Sequence, residues 1–325
     1  MCYNPGESVW RRDPGRHGTR LFVTGGNNVQ LSDMLRQAVP LDRDEHVRFV
    51  TEARGGDIGR SFRVDTDRRR LFVKYREDLD GIVFAREAEG LALLRANGSL
   101  PVPGVHYAGG IPGHRGGMIV LDWIESGPSL PSVEEALGRG IARLHQDSAE
   151  KAAKAPRYGL DADNFIGLLP QPNGWCERWP EFYRDRRLQP MAALADERGR
   201  LPSERRKRLV RLMDHLERWV PSRPPSSLLH GDLWSGNWLA AADGRPYLID
   251  PAVFYGDREY EIAFTELFGG FSPRFYAAYR ETMPLDPEYG DRRPLYQLYY
   301  LLVHLILFGE SYGPGVDRVL RRYAG

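Results

Sequence analysis

Residues 228–238 read L-L-H-G-D-L-W-S-G-N-W, and Y-L-I-D follows at 247–250. Asp232 and Asn237 stand five residues apart, and Asp250 comes thirteen after the amide. An apolar stretch leads into each group, Leu228-Leu229 into the first and Tyr247-Leu248-Ile249 into the second. Short strands can therefore carry two acids and an amide toward one small site.

Phosphoryl transfer calls for that grouping. One carboxylate must accept the proton of the attacking hydroxyl, while a second carboxylate and an amide oxygen hold the Mg²⁺ that bridges the nucleotide phosphates. Protein kinases distribute these tasks over H-R-D-x-x-x-x-N and a following D-F-G. Here His230-Gly231-Asp232 stands for the first triplet and Asp250-Pro251-Ala252 for the second. Each residue alone has a plainer reading: H-G-D as a turn, Asp250 as a turn cap, Asn237 as a turn residue beside Gly236. Their joint spacing, with a suitable lysine upstream, argues for the catalytic reading.

That lysine is Lys74, at the end of L-F-V-K. Residues 49–74 read as strand, glycine turn, strand, turn, strand. The turn Gly55-Gly56-Asp57-Ile58 is a partial version of a phosphate-cradling loop, in which glycines let backbone N–H groups approach phosphate oxygens; a plain hairpin is the alternative. Apolar residues Val83, Phe84, Ala88, Leu91 and Leu94 mark one face of a helix that Gly98 should end. Glu87 on it is the candidate partner that orients Lys74, whereas Glu89 reads as an exposed charge. Met118 to Ile124 reads as a buried strand running into a linker; in a kinase-like chain this is the hinge, which would make the backbone of Leu121, Asp122 and Trp123 the candidate for contact with an adenine edge.

Ser132 and Glu135 form a capping-box pair before Val133, Leu137, Ile141 and Leu144 at helical spacing, and His145 on that helix reads as a packed or solvated histidine rather than a ligand. Residues 164–179 are dense in Pro, Gly, Asn and Trp and read as a long loop, functional or mobile. Arginines at 184–187 and 205–211 form basic clusters on expected helices; Leu209, Met213, Leu216 and Val220 give the second its buried face, so the arginines of 205–211 read as its solvated side.

Composition narrows the alternatives. Lys and Arg total 45 against 44 Asp and Glu, a formal charge of +1, which gives no support to a nucleic-acid partner. Cys2 and Cys176 are too few for a disulfide framework or a zinc site and fit a reducing, cytoplasmic setting. Residues 1–30 lack the apolar core of a signal peptide and read as a loose leader, followed by a short helix at 32–38. The longest apolar run, Leu295 to Phe308, is shorter than the roughly 20 residues a bilayer span needs, so it reads as a buried helix and no membrane partner is expected.

The chain resembles the fructosamine kinase (ketosamine 3-kinase) family, a branch of the aminoglycoside-phosphotransferase and protein-kinase-like superfamily. The residues that carry the resemblance are H-G-D-L-W-S-G-N at 230–237, D-P-A-V-F-Y-G at 250–256 with Arg258-Glu259, and P-Q-P-N-G-W at 170–175 with R-R-L-Q-P at 186–190. It runs from about Ser32 to the C-terminus. It implies an α+β, two-lobed protein-kinase-like fold, with an antiparallel N-lobe sheet over residues 31–123 and a mostly helical C-lobe over 124–325. It implies an ATP- and Mg²⁺-dependent kinase acting on the 3-hydroxyl of a ketoamine, free or on a glycated protein lysine, so that the amine is released. In these terms Asp232 is the proton acceptor, Asn237 and Asp250 hold Mg²⁺, and Lys74 set by Glu87 positions phosphates. Trp234 stacks on the sugar and Trp175 walls the acceptor site, with core anchoring the other reading of Trp175. Related kinases often carry an acid two positions before the Ala of A263, which makes Glu261 a brace for the catalytic loop. Some family members have a cysteine in the glycine loop where this chain has Asp57. Other small-molecule acceptors, such as aminoglycosides or choline, are the alternative; a non-catalytic nucleotide-binding module is a weaker one, because Lys74, Asp232, Asn237 and Asp250 are all present.

Overall fold

The computed structural model describes residues 41, 43–53, 60–111 and 113–325. The leader, the helix expected at 32–38 and the glycine turn Gly55-Gly56-Asp57-Ile58 lie outside the described residues. Along the chain run β1 (Val47–Ala53), β2 (Arg60–Thr66), β3 (Arg70–Arg76), α1 (Gly81–Asn97), β4 (Val105–Gly110), β5 (Gly117–Asp122) and α2 (Pro131–Ala152). Then come β6 (Asn164–Ile166), β7 (Leu169–Gln171), α3 (Trp179–Phe182), a π-helical segment (Tyr183–Leu188), α4 (Gln189–Glu197) and α5 (Ser203–Asp214). The remainder holds β8 (Ser226–Leu229), β9 (Trp238–Ala240), β10 (Pro246–Leu248), β11 (Phe254–Asp257), α6 (Arg258–Thr265), α7 (Pro273–Thr282), α8 (Tyr289–Phe308) and α9 (Gly313–Ala324).

The chain divides into two units, one reaching to Val133 and also taking in Ser235–Asp250, the other comprising Glu134–Trp234 and Pro251–Gly325. In the first, the antiparallel sheet has the order β1-β2-β3-β5-β4. Strand alternation sorts its residues: Phe62, Val64, Leu71, Val73, Met118 and Val120 form a core on one face. Phe72 and Lys74 alternate to the other face, toward α1. Asp80 caps α1 by accepting the Ile82 N–H at 3.1 Å, and Gly98, in left-handed conformation at φ 82°, ends it. The helix lies close on the sheet because Gly81 has no side chain; a Cβ there would fall 1.9 Å from the Gly110 nitrogen. Glu87 shares the stripe of the buried Phe84, Leu91 and Leu94, while Glu89 is exposed as expected.

The division departs from the expected boundary at 123/124. The hairpin β9–β10 is stitched to residues before β4 and after β5: Gly127 N–H donates to the Ala240 carbonyl at 2.8 Å, Ala242 N–H to Glu125 at 2.7 Å, and Leu248 N–H to Pro101 at 3.0 Å. Those bonds join the N-terminal sheet to a segment more than a hundred residues downstream, a pairing that hydrophobic periodicity does not report.

The second unit is helical apart from short strand pairs, β6 with β7 and β8 with β11. Its centre is aromatic: Trp179, Tyr183, Tyr260 and Tyr296 are fully buried. The Trp179 indole N–H donates to the Tyr296 hydroxyl at 3.0 Å, and that hydroxyl donates to Asp257 at 2.6 Å. The run from Leu295 to Phe308 belongs to α8, a core helix, and no helix among the described residues is long and apolar enough to cross a membrane.

Three local expectations need correction. Helix α2 begins at Pro131, so Ser132 lies inside its first turn rather than capping it; proline fits there because the first-turn N–H has no intrahelical partner. Residues 164–171 are a β-hairpin, not loop. Arg205 is buried, not solvated, and Arg187 of the other cluster is buried too. Arg205 forks onto Glu310 at 2.6 Å and Asp317 at 2.8 Å, and Arg187 lies 4.0 Å from the centroid of the Phe254 ring with its NH2 donating to Asn173 at 2.7 Å.

Candidate active site

In the first unit, Lys74 on β3 donates to Glu87 at 3.1 Å and to Asp250 at 2.9 Å. Burial lowers the Lys74 pKa, but the charges of Asp250 and Glu87 outweigh it and hold the ammonium well above the ordinary lysine value. Burial pushes the Glu87 carboxyl up, against the pull of Lys74 and with the Asp250 carboxylate adding to the rise, to about 7. One ammonium thus faces two carboxylates, and Glu87 is the one that burial pushes toward its protonated form. Glu87 Oε1 is buried with no hydrogen-bond partner.

Asp250 is the one non-glycine residue among those described with positive φ, at 52°. Left-handed backbone costs a non-glycine residue about 1 kcal/mol or more, and such strain collects at functional positions. Asn237 is held beside it. Its carbonyl accepts the Ile249 N–H at 3.1 Å, and its Nδ2 donates to the Asp250 carbonyl at 3.4 Å. With the amide nitrogen so engaged, the amide oxygen is the end with metal affinity.

No cluster of three or more His, Cys, Asp or Glu able to cage a metal occurs among the described residues. One carboxylate with one amide suits Mg²⁺ shared with nucleotide phosphates, since that ion is usually held by one or two carboxylates plus substrate oxygens. The residues present therefore fit a Mg–nucleotide rather than a free structural ion.

At the end of β5 the geometry narrows the expected adenine contact. Asp122 N–H donates to the Gly104 carbonyl at 2.8 Å and Trp123 N–H to Arg70 at 3.1 Å. Both of these N–H donors are used within the protein. Leu121 pairs with Phe72 and Val105 inside the sheet. The Asp122 carboxylate is likewise engaged, by Gly104 N–H at 2.8 Å and His106 Nε2 at 2.7 Å.

In the second unit, β8 and β11 pair in register from Ser226 with Asp257 to Leu229 with Phe254, which brings His230-Gly231 beside 252–254. Ala252 N–H donates to the His230 carbonyl at 2.9 Å. Gly231 has φ 82°, and a Cβ on it would lie 2.0 Å from the Ala252 oxygen, so only glycine fits. Asp232 N–H donates to His230 Nδ1 at 3.3 Å, and Trp234 N–H to the Asp232 carbonyl at 3.1 Å. Asp232 and Trp234 are half-buried.

Glu261 on α6 braces this loop, as expected. Fully buried, it accepts from Gly231 N–H at 2.7 Å, His230 N–H at 3.2 Å and His145 Nε2 at 2.9 Å. Burial raises its pKa, yet the His145 hydrogen bond and the other donors outweigh that and hold it below the ordinary glutamate value. His145, also bonded to the Tyr279 hydroxyl at 2.9 Å, is packed rather than solvated. Tyr300 completes the frame by donating to the Gly231 carbonyl at 2.8 Å; this role left no mark in the sequence beyond a tyrosine on an apolar helix.

Trp175 is half-buried. Its Nε1 donates to Asp161 at 2.8 Å, Arg157 lies 4.9 Å from its ring centroid and Tyr255 stands 5.9 Å away. It is a tethered aromatic rather than a core anchor; the core role falls to Trp179.

A sequence model of the fructosamine kinase family matches residues 31–324. A probable ketoamine kinase of Lactiplantibacillus plantarum is 41% identical over 279 residues, covering 85% of this chain and 95% of that protein. The crystal structure of a candidate fructosamine-3-kinase from Thermobifida fusca superposes with a TM-score of 0.76 at 32% identity, covering 91% of this chain and 100% of that one. A thermostable mutant of an aminoglycoside phosphotransferase, at 19% identity and TM-score 0.56 over 86% of this chain and 96% of its own, shares the fold. With an antiparallel N-terminal sheet and a helical remainder, the protein has the α+β protein-kinase-like fold, and it belongs to the fructosamine kinase family.

Proposed function

We propose that the protein is an ATP-dependent kinase that phosphorylates the 3-hydroxyl of a ketoamine, a sugar joined to an amine by glycation; the phosphorylated adduct then breaks down and frees the amine. The observation that carries this reading is the chain of contacts Glu87–Lys74–Asp250, the arrangement with which kinases hold nucleotide phosphates.

Lys74, oriented by Glu87, draws the α- and β-phosphates into place. Asp250 and Asn237 hold Mg²⁺, which when bound with the nucleotide neutralises charge on the phosphate oxygens. Asp232 takes the proton of the attacking hydroxyl as its oxygen bonds to the γ-phosphorus and ADP departs. Glu261, His145 and Tyr300 keep the Asp232 loop from moving as the charge changes. Trp234 stacks on the sugar ring and Trp175, fixed by Asp161, walls the acceptor site. The acceptor is a free ketoamine or a glycated lysine on a protein. A reducing, cytoplasmic setting belongs to the same proposal, supported by a free and half-buried Cys176.

The test is an acceptor panel with Mg-ATP: fructosamine, ribulosamine and erythrulosamine adducts beside free sugars, choline and an aminoglycoside. Position of phosphorylation is read by phosphorus NMR. Turnover confined to ketoamines, at the 3-position, is expected. Turnover on choline or the aminoglycoside instead would keep the mechanism and overturn the substrate.

A further inference from the structure

The hairpin β6–β7 carries a closed set of buried amides that the proposed chemistry leaves unused. Gln171 has no exposed surface. Its Oε1 accepts from the Tyr299 hydroxyl at 2.9 Å, and its Nε2 donates to Asn164 Oδ1 at 2.8 Å and to the Ala252 carbonyl at 3.1 Å. Asn164 is fixed in turn: its Nδ2 donates to the Val253 carbonyl at 2.9 Å, and its Oδ1 also accepts from Asn173 at 2.7 Å. The buried Arg187 donates to Asn173 Oδ1 at 2.7 Å. Out of reach of water, each of these bonds is costly to break, so the set acts as one stiff body.

The Ala252 peptide is where this body meets the catalytic loop. Its oxygen is held by Gln171, and Gly231 packs so closely that a Cβ would come within 2.0 Å of that same oxygen. Its N–H donates to the His230 carbonyl at 2.9 Å. A shift of this peptide therefore either opens the His230 bond or presses on Gly231, and Asp232 is the next residue.

We propose that Gln171 is a positioning residue: by holding the Ala252 carbonyl it sets the Gly231 backbone and hence the aim of the Asp232 carboxylate. This rests on the reading of Asp232 as proton acceptor. The side-chain chemistry is specific. Glutamate would offer no donor to two acceptors, asparagine is one methylene short, and methionine fills the volume without either hydrogen bond.

The experiment uses the full chain with Gln171→Met and Gln171→Ala, each also combined with Asp232→Asn. In the otherwise wild-type protein kcat falls roughly 10- to 100-fold, the scale expected for an ångström of misalignment, while KM for ATP and acceptor stays within about twofold. In the Asp232→Asn background the same change costs less than about twofold, because its effect passes through Asp232. Hydrogen exchange at residues 228–234 and 251–254 quickens about tenfold or more, with helix α1 unaltered. Equal losses in both backgrounds, a loss confined to KM, unchanged kcat or unchanged exchange would each overturn the proposal. If both Gln171 variants fail to fold, Tyr299→Phe removes one hydrogen bond, keeps the ring and carries the same two comparisons. A wild type that phosphorylates no ketoamine would sink the functional reading alone, since exchange still decides whether Gln171 holds the loop.

Discussion

Glu261 offers the sharpest energetic prediction. Its two oxygens serve three donors: Oε1 takes Gly231 N–H, and Oε2 takes both His145 Nε2 and His230 N–H. In Glu261→Gln the amide can keep its oxygen on Gly231 and donate to His145 in its other tautomer, leaving the longer His230 bond facing an N–H. The loss is one charge-assisted bond, about 1.5–3 kcal/mol, offset in part by no longer burying a charge. A net destabilisation of about 2 kcal/mol follows. Glu261→Ala orphans all three donors at about 1–3 kcal/mol each, so a loss of about 4–6 kcal/mol is expected. Urea unfolding with comparison of m-values measures both, and kcat should fall with them as Gly231 relaxes. The Glu261 carboxyl is held below its ordinary value of 4.5, so its contribution is complete above that pH and lost as pH falls. Glu261→Gln should therefore also blunt acid sensitivity. Both variants unfolding within about 0.5 kcal/mol of wild type with kcat intact would refute the brace.

Lys74→Met should leave Asp250 and Glu87 facing each other without a cation, weakening ATP binding by about tenfold or more and lowering kcat by at least about a hundredfold; an unchanged nucleotide dissociation constant would contradict the role assigned to Lys74. Burial first, and then the charge of Glu259, pushes the Asp257 carboxyl up to about 6. The stability that this carboxyl adds is complete below its ordinary value of 3.8 and lost as pH rises through 6, so Asp257→Asn, which can still cap α6, should flatten the fall in Tm over that window. An unaltered slope would count against it. Gly231→Ala meets both a positive φ and the Ala252 oxygen and should cost more than about 3 kcal/mol and nearly all activity, while Gly244→Ala, at φ 79° with nothing within 4 Å, should cost about 1 kcal/mol and leave activity in place.

The candidate site was legible because its residues are close in the chain: the spacing of Asp232, Asn237 and Asp250 is a local property, set by two short strands and a turn. Glu87 was legible through helical periodicity, which placed it on the stripe of Phe84 and Leu91 and set Glu89 apart. What escaped depends on partners distant in sequence. Gln171 and Asn164 look like loop polar residues until β7 and 252–253 come together, and Arg205 looks like a solvent-facing charge until two carboxylates enclose it. The same cause moved the unit boundary, since the bonds from β9–β10 to residues 101, 125 and 127 join segments that no periodicity connects. That the N–H groups of Asp122 and Trp123 are already taken by Gly104 and Arg70 is likewise invisible in the sequence.

The measurement closest to the central claim is ADP release from Mg-ATP with a ketoamine acceptor, comparing wild type with Asp232→Asn and measuring nucleotide affinity on both. The account predicts turnover in wild type, a loss of orders of magnitude in kcat for the variant, and nucleotide binding within about twofold, because Asp232 touches the proton and not the phosphates. An Asp232→Asn protein that still phosphorylates the ketoamine at near wild-type rate would contradict it.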